Sequence, residues 1–356
     1  MTADIRFERH GRLGVAILDR QSALNALTHA MVRALSRQLA EWREDDGIGA
    51  VLVKPAPGRA FCAGGDIVAV SELLRSGGVA AAVPFFWDEY RLNWRIHTYP
   101  KPYVALIDGF TMGGGVGISI HGDFRIATER TLFAMPETGI GFFPDIGATW
   151  FLPRCPGEVG MYLGLTGARL RGNDCVGAGL ATHAVAAAEV AGIERALVDR
   201  AAAGDPHEAI AELLAGHAPL HQESALRSAR ATIDRCFAAA SLDGVMARLA
   251  KECGGFGAAQ LDELRTKSPF SLALTFAQLR RGRGMAIEEG LRLEYRMVHG
   301  VLSGHDFVEG VRAQLIAKDR KPQWRPASLA EVSDAAIAAC MEMPAAGDLA
   351  FDWHGV

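Results

Sequence analysis

The stretch that most constrains the fold of this chain is Pro102–Asp145, where an apolar segment leads into three consecutive glycines. The run Tyr103–Ile107 predicts a buried strand, and Asp108-Gly109 predicts a turn toward Gly113–Gly115. Successive glycines remove every Cβ near the backbone, and Val116–Ile120 after them predicts a short helix whose free N–H groups face a ligand. The stretch therefore predicts an anion-binding turn.

Two carboxylates follow this turn. Short β-like segments are predicted at Phe124–Ala127 and Leu132–Ala134, and Glu137 and Asp145 come after them in a segment rich in Gly, Pro and Phe. From the spacing alone two interpretations stay open. The acids belong to a site beside the glycine turn, or the glycines merely permit close packing and the acids are solvated.

A second glycine turn lies upstream. Val51–Val53 predicts a short strand, and R-A-F-C-A-G-G-D-I follows at Arg59–Ile67, again with glycines before a predicted helix. We expect the backbone N–H groups of Gly65 and Gly114 to converge on one oxygen. Such a pair of donors stabilises a thioester enolate or a tetrahedral oxyanion.

The periodicity elsewhere indicates mixed α/β structure. Residues 5–18 predict a hairpin, and the residues from Thr28 to Glu44 predict a helix with Met31, Leu35 and Leu39 on its buried face. Residues 68–98 predict helix interrupted by Gly77-Gly78, and the chain beyond about residue 190 is predicted to be helical.

The composition excludes several classes of partner. Of 356 residues 49% are hydrophobic, and the formal net charge is −4, so neither nucleic acid nor an anionic membrane surface is an expected partner. The N-terminus lacks an apolar core of signal-peptide length, and no apolar run approaches the ~20 residues of a membrane span. We therefore expect a soluble protein that is not exported.

The cysteines favour a reducing compartment. No C-x-x-C pair occurs, and the wide separation of the thiols is typical of buried, reduced cysteines in a cytoplasmic protein. The six residues are Cys62, Cys155, Cys175, Cys236, Cys253 and Cys340.

Three other kinds of site are disfavoured by their motifs. Ser119 lies in G-I-S-I-H, which is not the G-x-S-x-G of a serine hydrolase. The run G-G-G-V-G-I lacks the third glycine of a dinucleotide-binding G-x-G-x-x-G. His217 and His221 have Pro219 between them and no Glu or Cys partner, so we expect no metal site.

The two glycine turns together carry a family resemblance. The pairing of A-F-C-A-G-G-D with D-G-x-x-M-G-G-G resembles the enoyl-CoA hydratase/isomerase (crotonase) superfamily. The continuation F-A-M-P-E-T-x-I-G-x-F-P-D at Phe133–Asp145 resembles its 3-hydroxyisobutyryl-CoA hydrolase branch, as do Leu291–Arg296, His305–Ala313 and Lys318–Pro326. The resemblance spans nearly the whole chain.

The resemblance implies an α/β fold with a crotonase-like ββα spiral core. Residues 1–190 are expected to form that core with its CoA-binding and oxyanion-hole turns, and residues 191–356 to form a helical region that completes and covers the active site. The loop Asp19–Thr28 resembles the N-A-L loop that begins the CoA-binding surface. Gln21 and Ser22 stand where many relatives have Pro and Lys, so the resemblance does not indicate how the CoA phosphates are held.

The resemblance also implies roles for individual residues. Gly65 and Gly114 are the oxyanion donors, Glu137 is the nucleophile or general base, and Asp145 orients the substrate hydroxyl or the water. The substrate-binding residues implied are Glu89, Gly64, Asp66 and Gly113. Hydratases of this type place a second glutamate just after the triple glycine, and that position here is Gly117.

The expected activity is hydrolysis of the thioester of a short branched 3-hydroxyacyl-CoA. The resemblance implies 3-hydroxyisobutyryl-CoA as substrate and a place in valine catabolism. Enoyl-CoA hydratase or isomerase activity is the alternative, and a noncatalytic acyl-CoA-binding protein is the alternative of a different class. CoA is part of the substrate, so no cofactor and no metal are expected. The expected partner is an acyl-CoA, and homo-oligomerisation is left open.

Overall fold

The structure, a computed structural model, describes residues 4–218, 220 and 224–353. It contains two β-sheets and a large helical region. Within the described residues the strands are β1 (Ile5–His10), β2 (Leu13–Leu18), β3 (Ala50–Pro55), β4 (Ala60–Cys62), β5 (Tyr103–Ile107), β6 (Phe110–Met112), β7 (Phe124–Thr128), β8 (Leu132–Ala134), β9 (Leu170–Arg171) and β10 (His183–Val185).

The strands alternate between a larger and a smaller sheet. The larger sheet has the order β1-β2-β3-β5-β7-β10, antiparallel only between β1 and β2, and the smaller has the order β4-β6-β8-β9. Three successive strand pairs, β3-β4, β5-β6 and β7-β8, each give one strand to each sheet. This repeating pattern confirms the predicted spiral core, and it places the ends of β4 and β6 side by side.

Helices connect the strands and form most of the chain after β10. Their ranges are α1 (His29–Glu44), α2 (Ile67–Gly77), α3 (Val79–His97), α4 (Gly114–Ile120), α5 (Ala148–Phe151), α6 (Val159–Thr166), α7 (Gly172–Gly177), α8 (Val190–Arg200), α9 (Pro206–Ala215), α10 (Ala225–Phe237), α11 (Leu242–Ala250), α12 (Phe256–Arg265), α13 (Pro269–Arg281), α14 (Ile287–Leu302), α15 (Asp306–Val311) and α16 (Asp334–Cys340).

Local sequence explains where the helices near the glycine turns begin. The hydroxyl of Thr28 accepts a hydrogen bond from the N–H of Met31 and caps α1. The break between α2 and α3 falls at Gly78, whose φ is +70°, as the Gly77-Gly78 pair predicted. The short helix predicted at Val116–Ile120 starts two residues earlier, so two of the three consecutive glycines lie in its first turn.

The core unites the two halves of the chain. One hydrophobic cluster holds residues of the sheets, such as Phe61 and Phe133, together with Leu291 and Met297 of α14. A second cluster packs α8 and α9, through Ile193 and other apolar side chains, against the larger sheet. No described helix combines the length and apolar composition that crossing a membrane requires.

The cysteines correct one expectation. All six are free, and five are buried, but Cys253 is exposed because it follows the end of α11 in a surface turn. Of the residues from which the sequence predicted no metal site, Pro219 and His221 lie outside the described residues. Within the described part of the chain, no group of three or more His, Cys, Asp and Glu side chains is placed to hold a metal ion.

Candidate active site

The two glycine turns predicted from the sequence lie against each other at the ends of β4 and β6. Gly64 has φ +118° and Gly113 has φ +45°, both in the region that favours glycine. A Cβ on Gly113 would lie 3.4 Å from the Cα of Gly64, and a Cβ on Gly114 would lie 3.1 Å from the nitrogen of Gly65. The positive φ of Gly64 and Gly113 and the short contacts at Gly114 favour glycine at all three positions.

The amides of Gly65 and Gly114 are available as donors. Neither N–H group donates a hydrogen bond to a described residue, although the neighbouring groups are paired. Leu27 donates to the carbonyl of Gly64, and Asp66 donates to the carbonyl of Leu27, each over 2.8 Å. The first turn is therefore fixed by the loop before α1 while its Gly65 amide stays unused, as an oxyanion donor requires.

Helix α3 places Glu89 over the second turn. Glu89 is 2% exposed, and its Oε1 atom, which has no hydrogen-bond partner among the described residues, occupies the space where a Cβ on Gly114 would be. The same helix turn presents Tyr90, whose hydroxyl donates to Oδ2 of Asp145 over 2.7 Å. Tyr90 was not assigned a role from the sequence, and only its place beside Glu89 in the F-F-x-x-E-Y segment could have indicated one.

Glu137 and Asp145 reach the same place from the segment after β8. Glu137 is 6% exposed, and its Oε1 atom would lie 3.2 Å from a Cβ on Gly113. Its Oε2 atom has no partner among the described residues. Asp145 is 5% exposed. Both acids are buried beside the glycine turns, so the interpretation of solvated acids is wrong.

Burial controls the charge of these carboxyls. It raises the pKa of Glu137 and of Glu89 well above the usual range, and the charges of nearby carboxylates raise both further. Burial also raises the pKa of Asp145 to about 7, although the hydrogen bond from Tyr90 opposes the shift. The three carboxyls therefore titrate as a coupled set in which full ionisation is unfavourable.

The segment that carries Asp145 is held by other buried groups. The side chain of Gln278 donates to the carbonyl of Pro144, and the ring of His121 donates to the carbonyl of Ile146, each over 2.7 Å. Glu294 accepts hydrogen bonds from the amides of Gly147 and Thr149. None of these three side chains was assigned a role from the sequence, although Glu294 lies in the L-R-L-E-Y-R segment.

Asp66 makes contacts that stabilise the fold. Its Oδ1 atom accepts from the N–H of Ala69 and caps α2, and its Oδ2 atom accepts from Arg20 over 2.8 Å. Gln21 donates to the carbonyl of Ala56. A substrate-binding role for Asp66 stays a prediction. Arg20, which pairs with Asp66, lies in the loop Asp19–Thr28.

The cavities that stand out in the structure lie away from the buried carboxyls. A cavity of about 620 Å³ lies between α3 and α14 beside Trp87 and Tyr295, and one of about 240 Å³ lies beside His305 and Arg325. Neither cavity is lined by Glu89, Glu137 or Asp145. Cavity volume therefore does not identify the candidate catalytic residues in this structure.

The family follows from comparison with known proteins. A family model described as enoyl-CoA hydratase/isomerase matches residues 13–341. The chain belongs to the enoyl-CoA hydratase/isomerase family. The resemblance and the fold expected from the two glycine turns are thereby confirmed, since solved structures of this family share the architecture over almost the whole chain.

Members of the enoyl-CoA hydratase/isomerase family with high similarity carry different names. A curated relative from Danio rerio, named 3-hydroxyisobutyryl-CoA hydrolase, mitochondrial, is 45% identical over 95% of this chain and 89% of its own length. A carnitinyl-CoA dehydratase from Mycobacterium thermoresistibile is 39% identical with a TM-score of 0.91, covering 99% of both chains. An enoyl-CoA hydratase from Rhodobacter sphaeroides 2.4.1 is 38% identical with a TM-score of 0.90, covering 98% of this chain and 100% of its own.

The position at which hydratases of this family carry a second glutamate is closed by packing. A Cβ on Gly117 would lie 2.7 Å from Nδ2 of Asn93 and 2.9 Å from Cβ of Ile146. Asn93 is fully buried, and neither polar atom of its side chain has a partner among the described residues. A glutamate at position 117 therefore does not fit beside the present side chains.

Proposed function

We propose that this chain hydrolyses 3-hydroxyisobutyryl-CoA to 3-hydroxyisobutyrate and CoA. The observation that carries the proposal is the pair of buried acids, Glu137 and Asp145, beside two unused glycine amides, with no space for a second glutamate at Gly117. The names of the curated relatives support the same substrate. Valine degradation is the metabolic setting that fits this substrate.

The amides of Gly65 and Gly114 stabilise the oxyanion that forms from the thioester carbonyl. In one route the carboxylate of Glu137 attacks the carbonyl carbon, the C–S bond breaks, and CoA leaves as a thiolate that takes up a proton. Water then cleaves the mixed anhydride and restores the carboxylate. In the other route Glu137 takes a proton from the attacking water. Both routes stay open.

Asp145, Glu89 and the remaining glycines serve substrate binding in this proposal. Asp145 orients the substrate hydroxyl or the water, and Tyr90 fixes one of its oxygens. Glu89 lies over Gly114 at the acyl end. Gly64 and Gly113 let the two turns approach closely enough for both donors to reach one oxygen, and Asp66 stabilises the first turn.

The names of the two solved structures favour hydration of an enoyl-CoA as a second candidate. One experiment separates the candidates: free CoA is followed with a thiol reagent across a panel of acyl-CoAs, and hydration of crotonyl-CoA is followed in parallel. We expect CoA release to be fastest from 3-hydroxyisobutyryl-CoA. Rapid hydration of crotonyl-CoA without release of CoA from 3-hydroxyisobutyryl-CoA would reject the proposal, and binding without either reaction would favour a noncatalytic protein.

Replacing Asp145 by asparagine is expected to reduce discrimination between substrates. Asparagine keeps one acceptor oxygen for Tyr90, but its NH₂ group replaces the oxygen available to a substrate hydroxyl. We expect the ratio of kcat/KM for 3-hydroxyisobutyryl-CoA to that for isobutyryl-CoA to fall by about 10-fold, together with the rate. Asp262→Asn, at an exposed site, is the control. An unchanged ratio in Asp145→Asn would remove Asp145 from hydroxyl recognition.

The raised pKa values predict a pH dependence. Glu137 must be ionised to attack or to accept a proton, and its pKa is raised by burial. We therefore expect kcat/KM for CoA release to be low in acid and to rise with pH over a range above that of an ordinary carboxyl, because Glu137 must lose its proton. Asp145→Asn removes the neighbouring charge that raises the pKa of Glu137, so it should move the apparent pKa down. A flat profile between about pH 5 and pH 8 would contradict the assignment.

The helical region after residue 190 supports the proposed cover of the active site. Ser268 donates its N–H to the carbonyl of Thr138, one residue after Glu137, over 3.1 Å. The side chain of Gln278 reaches Pro144, and Gly310 packs against Ile140. We keep the division at residue 190 as a prediction, with residues 191–356 completing the site.

Further features of the proposal concern location and assembly. A cytoplasmic location stays a prediction from the sequence, and the curated relatives are named mitochondrial. The acyl-CoA is the partner, and the number of copies in the assembly is open. Arg20, which already pairs with Asp66, lies in the same loop as Gln21 and Ser22, which replace the residues of other family members.

A further inference from the structure

The backbone turn that carries Asp145 has an unfavourable conformation. Ile146 has φ +55° and Gly147 has φ +90°. A β-branched residue rarely adopts the left-handed region, so surrounding contacts must hold Ile146 there. The ring of His121 donates from Nε2 to the carbonyl of Ile146 over 2.7 Å, and burial lowers the pKa of His121 to about 3, so this ring is neutral.

Glu294 of α14 holds the other side of this turn. Its two oxygens accept the N–H groups of Gly147 and Thr149, each over 2.7 Å. These amides lie at the start of α5, where backbone donors have no helical partner. Glu294 is 0% exposed, and the two hydrogen bonds give both of its oxygens an acceptor role.

The buried position of Glu294 opposes its ionisation, while the two N–H groups that it accepts favour the charged form. Burial raises its pKa to about 8, and the charge of Asp145 raises it further, while the amides of Thr149 and Gly147 oppose the shift. A neutral acceptor in place of Glu294 would avoid these costs. The carboxylate is the side-chain group that accepts from two N–H donors at once without a competing donor of its own.

We propose that Glu294 is a positioning residue that acts through Asp145. By fixing the amides of Gly147 and Thr149 it keeps the left-handed turn in place, and the turn aims Asp145 at the substrate. The hydrogen bonds of Glu294 go to Gly147 and Thr149 of this turn, so it takes no part in the bond changes. This inference rests on the proposed function, and it assigns to the C-terminal helices a share in substrate discrimination.

The first test is the variant Glu294→Gln. Its amide oxygen satisfies one of the two N–H groups, and its NH₂ group faces the other, so the turn loses one anchor. We expect kcat/KM for 3-hydroxyisobutyryl-CoA to fall by about 10-fold or more, mainly through kcat, with a loss of preference over isobutyryl-CoA like that in Asp145→Asn. The control is Arg296→Gln. Arg296 lies on the same helix as Glu294, and its replacement breaks an ion pair with Asp348, so the substrate preference should stay unchanged.

A double-mutant cycle separates positioning from general destabilisation. If Glu294 acts through Asp145, Glu294→Gln should have little further effect on kcat/KM in an Asp145→Asn background. If the two substitutions instead lower kcat/KM by independent factors that multiply in the double variant, the proposal is wrong. An unchanged substrate preference in a folded Glu294→Gln variant would overturn it as well.

Amide hydrogen exchange supplies a readout that does not depend on activity. The amides of Gly147 and Thr149 should exchange faster in Glu294→Gln than in the wild type, whereas Arg296→Gln should not change them. If the wild type releases no CoA, the proposed function fails, but hydrogen exchange still tests whether Glu294 holds the two amides. Unchanged exchange in Glu294→Gln would reject that role of Glu294. If Glu294→Gln does not fold, Glu294→Asp, which is shorter by one methylene and reaches one amide, replaces it with the same expected direction.

Discussion

Replacing Glu137 by glutamine is expected to lower kcat for 3-hydroxyisobutyryl-CoA hydrolysis by about 10² or more, with KM nearly unchanged. Glutamine has the shape of glutamate, so the buried side chain keeps its volume beside Gly113. It has no negative charge with which to attack the thioester or to accept a proton from water. Binding of the CoA part of the substrate does not use this charge, so the loss falls on the chemical step.

The measurement is steady-state CoA release with circular dichroism to verify folding. Glu129→Gln is a suitable control, because Glu129 lies in the same part of the chain, is exposed, and accepts from the amide of Ala187. Near-normal turnover in Glu137→Gln would reject the mechanism in both of its routes. A large rise in KM with kcat unchanged would instead place Glu137 in ground-state binding.

Replacing Gly114 by valine is expected to abolish turnover. The new Cβ would overlap Oε1 of Glu89 and lie 3.1 Å from the nitrogen of Gly65. Glu89 must move away, and the branched side chain fills the space of the oxyanion between the two donors. Losing a single oxyanion donor costs roughly 10²–10³ in rate, and this substitution disturbs both.

Folding must be checked separately for this variant. Gly114 has an ordinary helical φ, so the backbone itself accepts a side chain, and circular dichroism should report a folded protein. Gly177→Val is the matched control, because nothing lies within 4 Å of a Cβ at Gly177. A folded Gly114→Val variant with wild-type CoA release would exclude Gly114 from the site.

The sequence predicted many elements of the fold, including the three-residue β8, but it did not predict β6 and β9. The apolar run Tyr103–Ile107 matches β5 at both ends, and the break at Gly77-Gly78 separates α2 from α3 as expected. In the smaller sheet β6 and β9 have only 3 and 2 residues, too few to show a periodic pattern. Such strands exist because distant segments pair with them, and local sequence carries no sign of that pairing.

The sequence identified the candidate site residues that lie in motifs. It missed the residues whose place in the site depends on tertiary contacts. Glu89, Glu137 and Asp145 come together as the resemblance implied. Glu294 is 149 residues from Asp145 and sits in an amphipathic helix, where a glutamate is usually assigned to the solvated face. Its burial depends on the amides of a turn in another part of the chain, which a single sequence does not reveal.

The close packing at Gly117 has an evolutionary consequence. The Nδ2 atom of Asn93 can rotate away from a new side chain, but Cβ of Ile146 moves only with its backbone. That backbone is the left-handed turn that aims Asp145. Acquiring a glutamate at position 117 therefore requires a shift of the backbone at Ile146, within this turn. Changes at position 117 and changes in the turn should therefore depend on one another as such pockets diverge.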